Sequence, residues 1–248
     1  MFESAKLKVK RAYQHIADLR SVAAAFTSKL HNFGFYNEAN AMIVEVRLSE
    51  PIPSALPLLI GDAVHNLRTA LDHATWELIG LDGGKQHRWL AFPMHRTRRD
   101  YEAACRGIET PRRDTVEFLL AFEAYPGGSG DKLFGLNVLD NIDKHQIFTP
   151  IAGVATLRHA EVVKPDGQVM TTIKNCKFGM GPDGRAKLMR LGPGLAFKFD
   201  EKCDPTVDIF FGEVEFFEAE QLIPTLMHLS ETVSHALRQF NDFVSGRA

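Results

Sequence analysis

Cysteine is scarce in this chain: Cys105, Cys176 and Cys203 are the three among 248 residues. An odd number without metal-ligand spacing argues against a disulfide framework and for a reducing compartment. Net charge is nearly absent as well, at −2 in formal terms. No whole-molecule field therefore points to nucleic acid, and any such argument falls on local patches. No apolar run is long enough to span a bilayer, and no charged start leads into a signal-type apolar stretch. A cytoplasmic protein without membrane contact is the expectation. Familiar catalytic signatures are missing too. There is no phosphate-cradling glycine loop, no G-x-S-x-G elbow and no dinucleotide fingerprint. Nor is there a Glu-x-x-His pair, a His-Glu-x-x-His motif or a cysteine with a histidine nearby to make a thiolate nucleophile.

What remains is an ordinary mix, 45% apolar and 24% charged, in a chain long enough to bury a substantial core. Val9, Ala12, Tyr13, Ile16, Leu19, Ala23, Phe26 and Leu30 recur at helical spacing, so the first thirty residues predict a long helix that Gly34 ends. Met42, Val44, Val46 and Leu48 alternate with Ile43, Glu45 and Arg47, as a strand does. A PIPSALP breaker follows, with Ser54 as N-cap and Pro57 in the first turn of a second long helix. Shorter helices are expected at Asp100 to Arg106, from Thr110-Pro111 to about Ala124, and from Ser129 or Asp131 onward, the last turning Leu133, Leu136, Leu139 and Ile142 inward.

From about Arg158 two PDG turns, Pro165-Asp166-Gly167 and Pro182-Asp183-Gly184, separate β-rich runs. The expected strands are Glu161 to Lys164, Val169 to Lys174, Ala186 to Leu191, Leu195 to Phe199 and Val207 to Phe216. A long helix from about Leu222 closes the chain. The reading is one α+β domain over 1–248. An antiparallel helical bundle, about 1–157 and 219–248, carries an inserted antiparallel β-sheet at about 158–218 in the C-terminal half.

The densest functional signal is LIGDAVHNLRTALDHATWELI, residues 59 to 79. One flank of that helix is apolar, through Ala63, Leu67, Ala70, Leu71, Ala74 and Leu78. The other holds two polar stripes: His65, Arg68 and Asp72, and beside them Asp62, Asn66, Thr69 and His73. Such groups are costly to pack and need partners. Arg68 and Asp72 are placed to pair at i, i+4. Arg68 and His73 sit roughly 140° apart around an ideal helix, so two copies across a two-fold axis aim them at one atom more easily than one copy does.

A second constellation is LNVLDNIDKH, residues 136 to 145, where Asn137, Asn141 and Lys144 share a face and His145 stands beside Asn141. Asp140 and Lys144 make a favourable i, i+4 pair. A third is a basic span of His95, Arg96, Arg98, Arg99, Arg106, Arg112 and Arg113, interleaved with Asp100, Glu102, Glu109 and Asp114. Phosphate binding and a solvated, salt-bridged face both fit it.

With Arg68-Thr-Ala-Leu-Asp-His73 on a helix of a small bundle, the chain resembles the HEPN superfamily, helical bundles with an Arg-x4-6-His motif. GDAVHNLRTALDH followed by LDNIDKH also looks like a group of uncharacterised bacterial and phage-borne proteins. The resemblance implies a metal-independent endoribonuclease of a toxin–antitoxin or phage-defence system. It implies RNA as substrate, a homodimer, an antitoxin or other protein partner, and no cofactor or metal. His73 would be general acid or base and Arg68 would hold the phosphoryl charge, with Asp72 or His65 orienting them. Asn66, Asn141, Lys144 and His145 are the candidate substrate-binding groups.

Two other classes stay open. One is a non-catalytic cytoplasmic helical module that binds a protein partner or small ligand, its polar flank a structural network. The other is a metal-dependent hydrolase drawing on His65, His73 and His145 with Asp62, Asp72, Asp140 and Asp143.

Overall fold

A computed structural model of the chain describes residues 1–27, 32–181, 183–198, 206–212, 214–218 and 220–247. It is a mixed α+β fold with antiparallel sheets, and its elements are α1 Glu3–Thr27, β1 Asn32–Glu38, β2 Ala41–Arg47, α2 Ala55–Leu81, α3 Arg98–Arg106, α4 Arg113–Leu120, α5 Asp131–His145, β3 Ile151–Val163, β4 Val169–Gly179, β5 Arg185–Leu191, β6 Ala196–Lys198, β7 Thr206–Phe210 and α6 Leu222–Ser245.

Helix α2 is the axis of the bundle, with α1, α5 and α6 packed around it. Ala12, Ile16 and Leu19 of α1 meet Ile60, Leu67 and Leu71 of α2 in one buried core, which Leu229, Val233 and Phe240 of α6 complete. Burial of this apolar stripe, at about 25 cal/mol per Å2, holds the helices together. Phe2 joins the core, fully buried, with its ring 5.7 Å from Phe240 in an edge-on arrangement. Phe92, Phe118 and Phe122 gather around the same Phe240.

The far end of α2 is closed by a clamp. Arg247, just past α6, donates to Asp82 at 2.8 Å, to Asp114 at 3.2 Å and to Thr115 at 2.6 Å, and lies over the Phe243 ring. The Asp82 side chain is only 2% exposed.

The sheets divide the strands differently from the expected insertion. The β1–β2 hairpin pairs with β5 in a three-stranded sheet, so N-terminal strands and the β-rich segment share hydrogen bonds. The second sheet is built on β3, which pairs with β4 along one edge and with β7 and then β6 along the other.

Several expected boundaries move. Gly34 does not end a helix. It lies inside β1 opposite Glu45, where a Cβ would press on the Arg47 Nε at 2.8 Å. Strand β3 begins at Ile151, ten residues before the expected Glu161. Helix α4 begins at Arg113 with Arg112 as N-cap and ends at Leu120, so Thr110-Pro111 precedes it instead of starting it. Strand β7 ends at Phe210, where Gly212 packs its backbone against the Thr149 carbonyl and pairing stops. Ser54 occupies the N-cap of α2 but makes no side-chain cap bond. Leu30, Pro182, Phe199 and Cys203 lie outside the described residues. Among the described residues, no helix is long and apolar enough to cross a membrane.

Candidate functional site

The two polar stripes of α2 meet two different helices. The His65–Arg68–Asp72 stripe faces α5, which runs antiparallel to it. Arg68 Nε donates to Asn137 Oδ1 at 3.2 Å, and His65 Nδ1 lies 3.0 Å from Asp140 Oδ1. One turn further, Gly61 leaves the space that the Asp143 carboxylate fills, and a Cβ there would collide with it. Burial, and then the neighbouring Asp140, push the Asp143 carboxyl above its ordinary value.

The Asn66–His73 stripe faces α1. Ser4 Oγ lies 3.0 Å from His73 Nδ1, Lys8 donates to Asn66 at 3.4 Å, and His15 stands 3.7 Å from Asp62.

Arg68 is the best-held residue of the seam. It pairs with Asp72 one turn on, and its Nη2 donates to the Phe92 carbonyl at 3.1 Å. Asp72 in turn accepts the Phe92 backbone N–H at 2.9 Å. The Arg68–Asp72 pair thus grips both polar groups of one backbone residue while the Phe92 ring enters the core. The Arg68 side chain is 11% exposed. Within one chain, Arg68 and His73 therefore serve different neighbours, α5 with the Phe92 segment on one side and α1 on the other.

His65 has another character. Its side chain is 54% exposed, backed by an Asp140 side chain that is 1% exposed. A carboxylate at Nδ1 fixes the proton there and leaves the Nε2 lone pair outward, where Thr69 Oγ1 lies 3.4 Å away. Lys144 Nζ sits 2.5 Å from the other Asp140 oxygen, without the alignment of a hydrogen bond.

Asn141 and His145 follow Asn137 along α5 and line an open groove of about 530 Å3 that Phe134, Met94 and Arg96 also border. Arg96 is occupied by a two-pronged pair with Glu215 at 3.0 and 2.7 Å. The other arginines of the basic span are paired as well: Arg98 and Arg106 with Glu102, Arg99 with Asp100, Arg112 with Asp114 and Arg113 with Glu117. It is a salt-bridged face.

A larger cleft, about 750 Å3, opens at the C-terminal half of α2. Asp72 and His73 reach it from the polar flank, and Trp76, Glu77, Ser4 and Leu90 complete much of its wall. Trp76 and Glu77 continue the His73 stripe at i+3 and i+4, away from the apolar face, a signal present in the sequence.

Among the described residues, no group of three His, Cys, Asp or Glu side chains is placed to hold a metal ion. Of the donors named for a metal-dependent hydrolase, His65 pairs with Asp140, Asp72 with Arg68, His73 with Ser4 and Asp62 with His15, while His145 lines the groove on α5. Cys105 is buried, which pushes its thiol up to about 11 and keeps it from acting as a thiolate.

No protein-family model, no curated protein and no solved structure matches the chain. The HEPN resemblance rests on the motif strings alone.

Proposed function

We propose that the chain is a non-catalytic helical module that binds a small ligand, and that the polar flank of α2 is the seam joining its helices. Arg68 carries this reading. Its guanidinium is committed to Asp72, to Asn137 and to the Phe92 carbonyl. A phosphate could reach it only by displacing a carboxylate in a site largely closed to water. Its neighbour in the motif, His73, opens instead onto the cleft.

The test is an RNA-cleavage assay with melting curves for Arg68→Met and His73→Ala. The expected result is no cleavage by the wild type and a clearly lower melting temperature for Arg68→Met. RNA cleavage that both variants abolish at unchanged melting temperature overturns the reading.

A second reading, the metal-independent endoribonuclease of a defence system, draws on one observation: the His65–Asp140 pair. A buried carboxylate behind a half-exposed imidazole is a general-base arrangement, and Nε2 of His65 would take the 2′-hydroxyl proton of RNA, with Lys144 nearby as a cation. His65→Gln abolishing cleavage in a protein that otherwise cuts RNA would favour it. A homodimer and an antitoxin partner belong to this second reading only.

A further inference from the structure

We propose that the cleft on the C-terminal half of α2 is a site for an organic ammonium ion with an apolar body. The inference rests on the reading of the chain as a ligand-binding module and names the class of ligand.

Among the described residues the wall carries two carboxylates, Asp72 and Glu77, and one basic side chain, His73, with no lysine or arginine. Each carboxylate is fixed by one oxygen and offers the other. Asp72 Oδ1 accepts from Arg68 and from the Phe92 N–H, and Oδ2 makes no hydrogen bond among the described residues. Glu77 Oε1 accepts the Phe2 N–H at 2.7 Å, and Oε2 is unused. Both acceptors are therefore oriented before a ligand arrives, which reduces the ordering cost of binding. Arg68 stands behind Asp72 and balances much of its charge. Glu77 makes no ion pair among the described residues, so its negative charge borders the cleft without a paired side-chain cation.

Two further features fit a cation with a hydrocarbon body. The Trp76 indole is 40% exposed beside Glu77, and an aromatic face next to a carboxylate attracts ammonium groups. Leu81 and Leu90 supply apolar wall. The volume falls within the ordinary range for small-molecule sites. An anion would face two carboxylates with no permanent cation on the wall. His73, whose Nδ1 lies 3.0 Å from Ser4 Oγ, borders the same cleft with its other ring nitrogen unused among the described residues.

Titration calorimetry with three probes of one shape tests this: phenethylammonium, phenethyl alcohol and 3-phenylpropionate. Phenethylammonium should bind tightest, the alcohol about tenfold more weakly, and the propionate not measurably. Glu77→Gln keeps an acceptor for the Phe2 N–H and removes the charge. It should weaken phenethylammonium about tenfold and leave the alcohol unchanged. Trp76→Ala, at a partly exposed position, should weaken phenethylammonium roughly two- to thirtyfold. Absence of phenethylammonium binding overturns the inference, as does an unchanged affinity in Glu77→Gln. If the alcohol or the propionate binds as well as the ammonium, and Trp76→Ala weakens it, the cation assignment fails while the ligand-binding reading stands.

Discussion

Replacing Arg68 by methionine keeps the aliphatic stem against α2 and deletes the guanidinium. Three acceptors then lose a donor: the Asp72 carboxylate, the Asn137 carbonyl at 3.2 Å and the Phe92 carbonyl at 3.1 Å. Breaking a buried charge pair from one side costs about 3–5 kcal/mol, and a hydrogen bond to a charged group is worth about 1.5–3 kcal/mol. The Asp72 side chain is 30% exposed, so water screens part of that charge. A net loss of about 3 kcal/mol follows, or a fall in Tm of roughly 6–12 °C for a chain of this size. Urea denaturation followed by circular dichroism measures it. Arg68→Lys should fall between, because an ammonium can meet Asp72 but cannot fork to Asn137 and Phe92 as well. Pairing Arg68→Met with Asp72→Leu should recover part of the loss, giving a coupling of about 1–3 kcal/mol. An Arg68→Met protein within about 0.5 kcal/mol of wild type would refute the structural assignment of the seam.

Other expectations follow from the same contacts. Arg247→Ala leaves the enclosed Asp82 carboxylate with Thr110, Thr115 and the more distant Arg112 guanidinium at 3.9 Å, so it should cost about 1–3 kcal/mol, read as a Tm drop; a change under about 0.5 kcal/mol would show that the clamp is idle. The Asp143 carboxyl holds its proton more tightly folded than unfolded, so ionising it works against the fold. Its contribution to stability is fullest below the unfolded value near about 4 and is lost as pH rises through the raised folded value. Asp143→Asn should therefore be more stable than wild type at neutral pH, with the difference vanishing toward about pH 4 in a urea series. Gly61→Ala should destabilise by about 1–3 kcal/mol because the new methyl meets Asp143. In an Asp143→Ala background the same change should stabilise by up to about 1 kcal/mol, the helix propensity gain alone.

Helical arithmetic alone separated the polar flank of α2 into two stripes, and the fold keeps them apart by giving each its own neighbour. Which neighbour was not legible, because Asn137 and Asp140 are far away in sequence and no local pattern links them to Arg68 and His65. The terminal helices and α2 were readable from their long apolar periodicity. Strand β3 was not, since Ile151-Ala-Gly-Val-Ala begins with small residues that show no alternation. Strand β1 was hidden by Gly34, whose missing side chain serves close approach to Arg47 and not a helix stop. The cleft escaped notice for a related reason. Trp76 lies on the side of α2 away from its apolar stripe, and only the packing of α1 and the segment through Gln86 and Leu90 makes that exposed indole part of a wall.

The lock at the tip of α2 has a bearing on how the chain is made. Asp82 waits for a partner translated 165 residues later. A nascent polypeptide can assemble the α1–α2 pair early, and Thr110, Arg112 and Thr115 reach Asp82 soon afterwards, yet its closest cation arrives only with residue 247. Completion of the bundle is therefore a late, long-distance event, and a tag fused immediately behind Arg247 would sit on the latch itself.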